Sequence, residues 1–95
     1  MRDYELMTIH RPDLAEDEIA AKIGELESHL SGSGATVAGR DLWGKRRFAY
    51  EIDHLSEGYY SVITFQAEVA AVDSLDRMLS LADEVIRHKI VRKGD

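Results

Sequence analysis

Three consecutive cations, Lys45, Arg46 and Arg47, stand inside the strand-like run Trp43-Gly44-Lys45-Arg46-Arg47-Phe48-Ala49-Tyr50-Glu51-Ile52. A second basic series, Arg87, Lys89 and Arg92, runs through Val85-Ile86-Arg87-His88-Lys89-Ile90-Val91-Arg92. The chemistry open to such side chains is anion binding. A guanidinium is a planar fork that makes paired, charge-assisted hydrogen bonds to phosphate and fixes position without reading base identity. Like charges repel at close quarters. Two readings of each cluster therefore stand: cations that guard a strand edge against unwanted pairing, or a contact surface for a polyanion such as nucleic acid.

Little else in the sequence offers reactive chemistry. There is no cysteine, which removes disulfides, thiolate metal sites and cysteine nucleophiles and is compatible with a reducing compartment. His10, His29, His54 and His88 are far apart and show no ligand spacing such as HxxxH. No phosphate-cradling glycine loop or nucleophile elbow is present, so neither metal nor cofactor is expected.

The elements that must position the cations belong to one small domain of 95 residues, with 44% hydrophobic and 32% charged residues and a formal net charge of −6. An acidic total argues against indiscriminate nucleic-acid binding. It leaves room for a local basic face, because charges are screened beyond about 8 Å at physiological salt. Asp13, Glu16, Asp17, Glu18, Glu25 and Glu27 crowd one early segment, away in sequence from both basic runs. On the carboxylate-rich outer face of a first helix they would turn RNA away from the wrong side. The N-terminus has no apolar signal core and no run reaches the roughly 20 apolar residues of a membrane helix, so a soluble cytoplasmic protein is expected.

Tyr4 to His10 suits a strand, stopped by Arg11-Pro12-Asp13. Asp13 is placed to cap a helix, with Glu16 three residues on. Ile19, Ile23, Leu26 and Leu30 draw one apolar stripe, predicting a helix over 14–31 that ends at Ser31-Gly32-Ser33-Gly34. Residues 35–53 read as a long strand bent at Gly39 and Gly44. Residues 54–58 read as a hairpin loop and 59–67 as the return strand. Ile63, Phe65 and Ala67 face one side of it; Tyr60, Val62 and Thr64 face the other. Val72, Leu75, Leu79 and Ala82 predict a helix over 69–81, and 85–91 the final strand. The order βαββαβ is that of an α+β, ferredoxin-like sandwich: a four-stranded antiparallel sheet with two helices on one face, the last strand at an edge.

The opening Met1-Arg2-x-Tyr4-Glu5, the turn Arg11-Pro12-Asp13-Leu14, the Trp43 to Ile52 strand, Glu57-Gly58-Tyr59-Tyr60 and Asp83-Glu84-Val85-Ile86-Arg87 together resemble ribosomal protein six of the bacterial small subunit. Five pieces in order at compatible spacing span nearly the whole chain. The resemblance implies a ferredoxin-like fold, no catalysis, binding to the central domain of the small-subunit rRNA, and pairing with ribosomal protein eighteen. Many relatives carry a longer C-terminal tail, whereas this sequence stops at Lys93-Gly94-Asp95, so modification of such a tail is not expected.

Under that resemblance Lys45, Arg46, Arg47, Arg87, Lys89 and Arg92 are candidate phosphate contacts. Arg2 and Tyr4 extend the surface, Tyr4 as an aromatic that stacks on a base. An exposed apolar strip with Met7, Ile9 and Val62, and Trp43 as an anchor, is expected to receive the protein partner. Strand alternation sends Arg46 and Arg47 to opposite faces unless a bulge at Gly44 reorients them, and lets only one of Tyr59 and Tyr60 show on the open face. A sequence-specific single-strand reader is disfavoured because the segment around Tyr59 lacks the basic, glycine-rich core of an RNA-recognition motif. Two further alternatives share the topology: a dimeric ferredoxin-like regulatory module that binds a small molecule, and an acylphosphatase-type hydrolase, whose arginine-containing phosphate loop is not found here.

Overall fold

The computed structural model describes residues 1–93; Gly94 and Asp95, and with them the expectation about the tail, lie outside the described residues. Six elements follow the predicted order: β1 (Arg2–His10), α1 (Glu16–Gly32), β2 (Thr36–Ile52), β3 (Leu55–Ala67), α2 (Val69–Ser80) and β4 (Val85–Arg92). The strands form one antiparallel sheet in the order β2-β3-β1-β4, so β4 is an edge, as the topology requires.

Register divides the sheet into two faces, because residues opposite one another in an antiparallel ladder project to the same side. Tyr4, Leu6, Thr8 and His10 of β1 lie opposite Phe65, Ile63, Ser61 and Tyr59 of β3. This is the helix side, where Leu6, Ile63 and Phe65 meet Ile19, Ile23, Leu26 and Leu30 of α1 and Ala71, Leu75 and Leu79 of α2 in one core. Met7 and Ile9, opposite Val62 and Tyr60, occupy the other, open face.

Helix α1 starts two residues later than the sequence suggests. Ala15, not Asp13, is the N-cap, and its backbone N–H donates to Glu18 Oε1 at 3.0 Å. Packing decides this. Leu14 and Ile19 both pack into the core, the N′ and N4 arrangement of a hydrophobic staple, so Pro12 and Asp13 are taken up in a turn and Ala15 opens the helix. Asp13 lies 3.8 Å from Arg11 instead. At the other end Ala35 N–H donates to Leu30 O (2.9 Å) and Gly34 N–H to Ser31 O (3.2 Å), a Schellman closure with Gly34 at φ 87°.

The β2–β3 hairpin also departs from expectation. Its loop is Asp53-His54 alone, both at positive φ (49° and 66°), as a type I′ turn demands. Residues 55–58, expected in the loop, belong to β3. Ile52 faces Leu55, Arg47 faces Glu57 and Arg46 faces Gly58, so the hairpin runs past the end of β1, which stops with His10 opposite Tyr59. Gly58 occurs here for space: a Cβ on it would meet Ile9 Cγ2 at 2.7 Å and His10 O at 2.8 Å.

Candidate nucleic-acid interface

The basic run sits at an irregularity in β2. Leu42 pairs with Ser61 and Gly44 with Tyr60, so Trp43 is the extra residue of a bulge and Gly44 takes φ 86°, a conformation costly for any residue with a Cβ. Beyond it normal alternation resumes. Lys45 pairs with Tyr59 and Arg47 with Glu57 on the helix side; Arg46 pairs with Gly58 on the open face. The bulge therefore leaves Arg46 and Arg47 on opposite faces.

Aromatic rings hold two of these cations. Arg46 Cζ lies over the Trp43 ring, 5.7 Å from its centroid. Trp43 in turn stacks on Tyr60 at 6.0 Å with the rings 6° from parallel, and Phe48 meets Tyr60 at 6.1 Å. The indole N–H donates to Asp41 Oδ2 at 3.1 Å, fixing the ring at its edge. Lys45 Nζ lies 5.2 Å from the centroid of Tyr59 on the other side. Tyr59 is a core residue, and Tyr60 alone serves the open face.

Several cations elsewhere are matched with carboxylates. Arg40 is gripped by Glu27, with Nε donating to Oε2 at 3.1 Å, and this hydrogen bonding raises the Arg40 pKa. Arg87 reaches Asp53 (3.3 Å), Lys93 reaches Glu5 (3.9 Å), and Lys22 lies between Glu25 (3.5 Å) and Glu84 (3.9 Å). Among the described residues no carboxylate stands within ion-pair distance of Lys45, Arg46 or Arg47.

The second basic series divides. Arg87 and Lys89 oppose Ile9 and Met7 on the open face, whereas Arg92 opposes Tyr4 and belongs to the helix side, as does Arg2, opposite Ala67. Tyr4 is corrected outright. It is 7% exposed and stacked against Phe65 at 5.6 Å inside the core, so it has no ring face for a base.

The expected apolar strip is corrected as well. Ile9 and Val62 do lie on the open face, but only 8% and 9% of their surface is exposed. Each is a β-branched residue overtopped by its cross-strand neighbours: Ile9 between Tyr60 and Arg87, Val62 between Met7 and Asp41. They form the floor of a shallow surface. Met7 is half-buried, and the apolar atoms still accessible belong to Trp43 (41% exposed) and Val91. Tyr50 shares strand parity with Phe48 and Ile52 yet is 79% exposed on the projecting hairpin. Register breaks between Arg47 and Ile52, and the parity fails there.

The acidic helix is closer than expected. Glu16 and Asp17, with Ile19 and Ala20, share a groove with Leu42, Gly44 and Tyr59, so the first turn of α1 flanks the bulge instead of lying remote from it. Lys45 projects to that acidic side, and Arg46 away from it. Among the described residues no group of histidines and carboxylates could hold a metal ion.

Comparison with known proteins agrees with this architecture. The family model described as Ribosomal protein S6 matches residues 3–92. Over its full 95 residues the chain is 42% identical to the small ribosomal subunit protein bS6 of Desulforamulus reducens and 44% identical to that of Symbiobacterium thermophilum, covering 100% of each. The crystal structure of 30S ribosomal protein S6 from Thermotoga maritima superimposes with a TM-score of 0.92 at 28% identity, over 97% of this chain and 87% of that one. A match along virtually the entire sequence, on the same ferredoxin-like fold, places the chain in the ribosomal protein S6 family.

Proposed function

We propose that this protein is a structural constituent of the bacterial small ribosomal subunit, that it binds the central domain of the small-subunit rRNA, and that it does so together with ribosomal protein eighteen in the cytoplasm. Its family consists of structural proteins, not enzymes. The observation that supports the RNA contact is that Lys45, Arg46 and Arg47 make no ion pair: in a chain with 18 acidic and 12 basic residues, three adjacent cations have no carboxylate within ion-pair distance among the described residues. Such cations are available to displace counterions from phosphates, while cations already paired would first have to give up a partner. Of the candidate residues, Arg46 and Lys89 lie on the open face, with Arg87 there in a pair with Asp53. For the protein partner the open face offers Val91, which is exposed, beside half-buried Met7.

Two measurements test this reading. On a salt-washed sucrose gradient the protein is expected to co-migrate with small subunits. With purified components, affinity for the central-domain RNA is expected to rise when ribosomal protein eighteen is added, because a protein of net charge −6 has a small electrostatic drive of its own. Equal affinity with and without that partner would remove the cooperative part, and failure to co-migrate would remove the whole.

A further inference from the structure

We infer that Asp41 and Trp43 are positioning residues for Arg46, and that together they build a phosphate site at the β2 bulge. This inference rests on the RNA reading above and adds to it a division of labour within the basic run.

The bulge lifts Trp43 out of the ladder as the unpaired extra residue, and Gly44 supplies the positive φ that lets the chain resume its register. Trp43 is then constrained at two points. Tyr60 stacks on it nearly parallel, and Asp41 accepts its indole N–H at 3.1 Å. Over this fixed ring lies the guanidinium of Arg46. A contact with the face of an aromatic ring engages the cation through the π system and leaves the guanidinium N–H donors at its rim free for another ligand.

Free donors on a held guanidinium suit a bidentate oxyanion. An Arg side chain has much rotamer freedom, part of which is lost on binding unless it has been lost already. Trp43 therefore acts on the free protein, before any RNA arrives. Asp41, the carboxylate beside the bulge on the open face, is engaged by the indole N–H, whereas the first turn of α1 lies on the other side. Lys45 shares its side of the sheet with Glu16 and Asp17, whose charge discourages an approaching phosphate, while Arg46 faces the opposite side. A base stacking on Trp43 would require Arg46 or Tyr60 to leave the ring, so the geometry favours backbone contact over base contact.

The test is a double-mutant cycle on the full chain, measuring binding to the central-domain RNA in the presence of ribosomal protein eighteen across a salt series. Arg46→Ala is expected to lower the slope of log affinity against log salt by about 0.7–0.9, one phosphate contact. Trp43→Ala is expected to weaken binding about two- to fivefold, the scale of an exposed cation–π contact, with the slope retained. In the Arg46→Ala background the Trp43 substitution should have no further effect. Trp43→Phe keeps a ring under Arg46 but gives up the hydrogen bond to Asp41, so it serves as the folded control and should bind between wild type and Trp43→Ala.

Additive losses in the cycle would show that Trp43 touches RNA or the partner directly, and would overturn the inference while leaving the RNA reading intact. An unchanged salt slope for Arg46→Ala would likewise overturn it. If wild-type protein fails to bind the RNA at all, the underlying reading falls, and this inference with it.

Discussion

Arg87 on the edge strand β4 reaches Asp53 at the tip of the β2–β3 hairpin, 3.3 Å from Nη1 to Oδ2, past the end of β1. The pair ties the projecting hairpin to the far side of the sheet. Both partners are more than half exposed, so water and salt screen it and its share of stability is small. Asp53→Asn is expected to change stability by less than about 1 kcal/mol. The larger local effect lies in the turn backbone. His54 holds φ 66° without being glycine, and His54→Gly should stabilise the fold by about 0.5–1 kcal/mol, since the steric penalty of the left-handed region exceeds the added chain entropy. A thermal melt raised by a few degrees would agree; a lowered one would show that the imidazole has a role beyond the turn.

Gly58 is confined by its neighbours. Gly58→Ala would place a Cβ 2.7 Å from Ile9 Cγ2 and 2.8 Å from the backbone oxygen of His10, and a backbone oxygen in a central strand cannot swing aside as a side chain can. The expected loss is about 1–3 kcal/mol, read from the denaturant midpoint. An unchanged midpoint would mean that the hairpin shifts as a body to make room.

The hydroxyls of Thr8 and Ser61 hydrogen-bond to one another between the two central strands, each side chain essentially buried. Thr8→Val leaves the Ser61 hydroxyl without its partner, a cost of about 1–3 kcal/mol. Adding Ser61→Ala removes the stranded group. The double variant is therefore expected to be more stable than the sum of the two single losses, and strict additivity would count against the pair.

His10 gives the fold an acid-sensitive point. It is buried at the end of β1, its Nδ1 has no hydrogen-bond partner among the described residues, and burial pushes its pKa below the ordinary 6.5. Glu84 opposes that shift and Lys22 adds to it. An unfolded chain takes up the proton as pH falls through 6.5, whereas the folded chain resists until lower pH. The unfolded state thus binds more protons, and stability falls with falling pH, by at most about 1.4 kcal/mol per unit from this group. His10→Leu should flatten the stability profile between about pH 6.5 and the lowered folded value. A profile as steep as wild type would assign the acid sensitivity to carboxylates instead.

The order of elements was legible because the two periodicities are clean: Ile19, Ile23, Leu26 and Leu30 recur as one helical stripe, and Ile63, Phe65 and Ala67 alternate as one buried face. Tyr4 shares parity with Leu6 and Thr8, which marks it for the core, whereas Arg2, two residues before it, argues for the surface; stacking on Phe65 decides for the core. The hairpin boundary was hidden. Glu57-Gly58 has turn chemistry but sits in a strand for want of space, while the true turn, Asp53-His54, has no glycine to announce it. The burial of Ile9 and Val62 depends on how far neighbouring side chains extend across strands, which alternation within one strand does not encode. Pairing of cations was equally invisible, because Asp53 and Arg87, or Glu27 and Arg40, meet only in the folded chain.

The ladder between β1 and β4 joins the earliest strand of the chain to the latest, with Met7 opposite Lys89. Once β1 has paired with β3 on one side, its other edge stays open until β4 has been made and docks. At about 5–20 residues per second that interval lasts seconds. Throughout it, an unpaired row of backbone donors and acceptors beside Leu6 and Ile9 is a template for pairing with a neighbouring nascent chain on the same messenger. Late arrival of one short strand thus sets the window in which this protein is most exposed to misassembly.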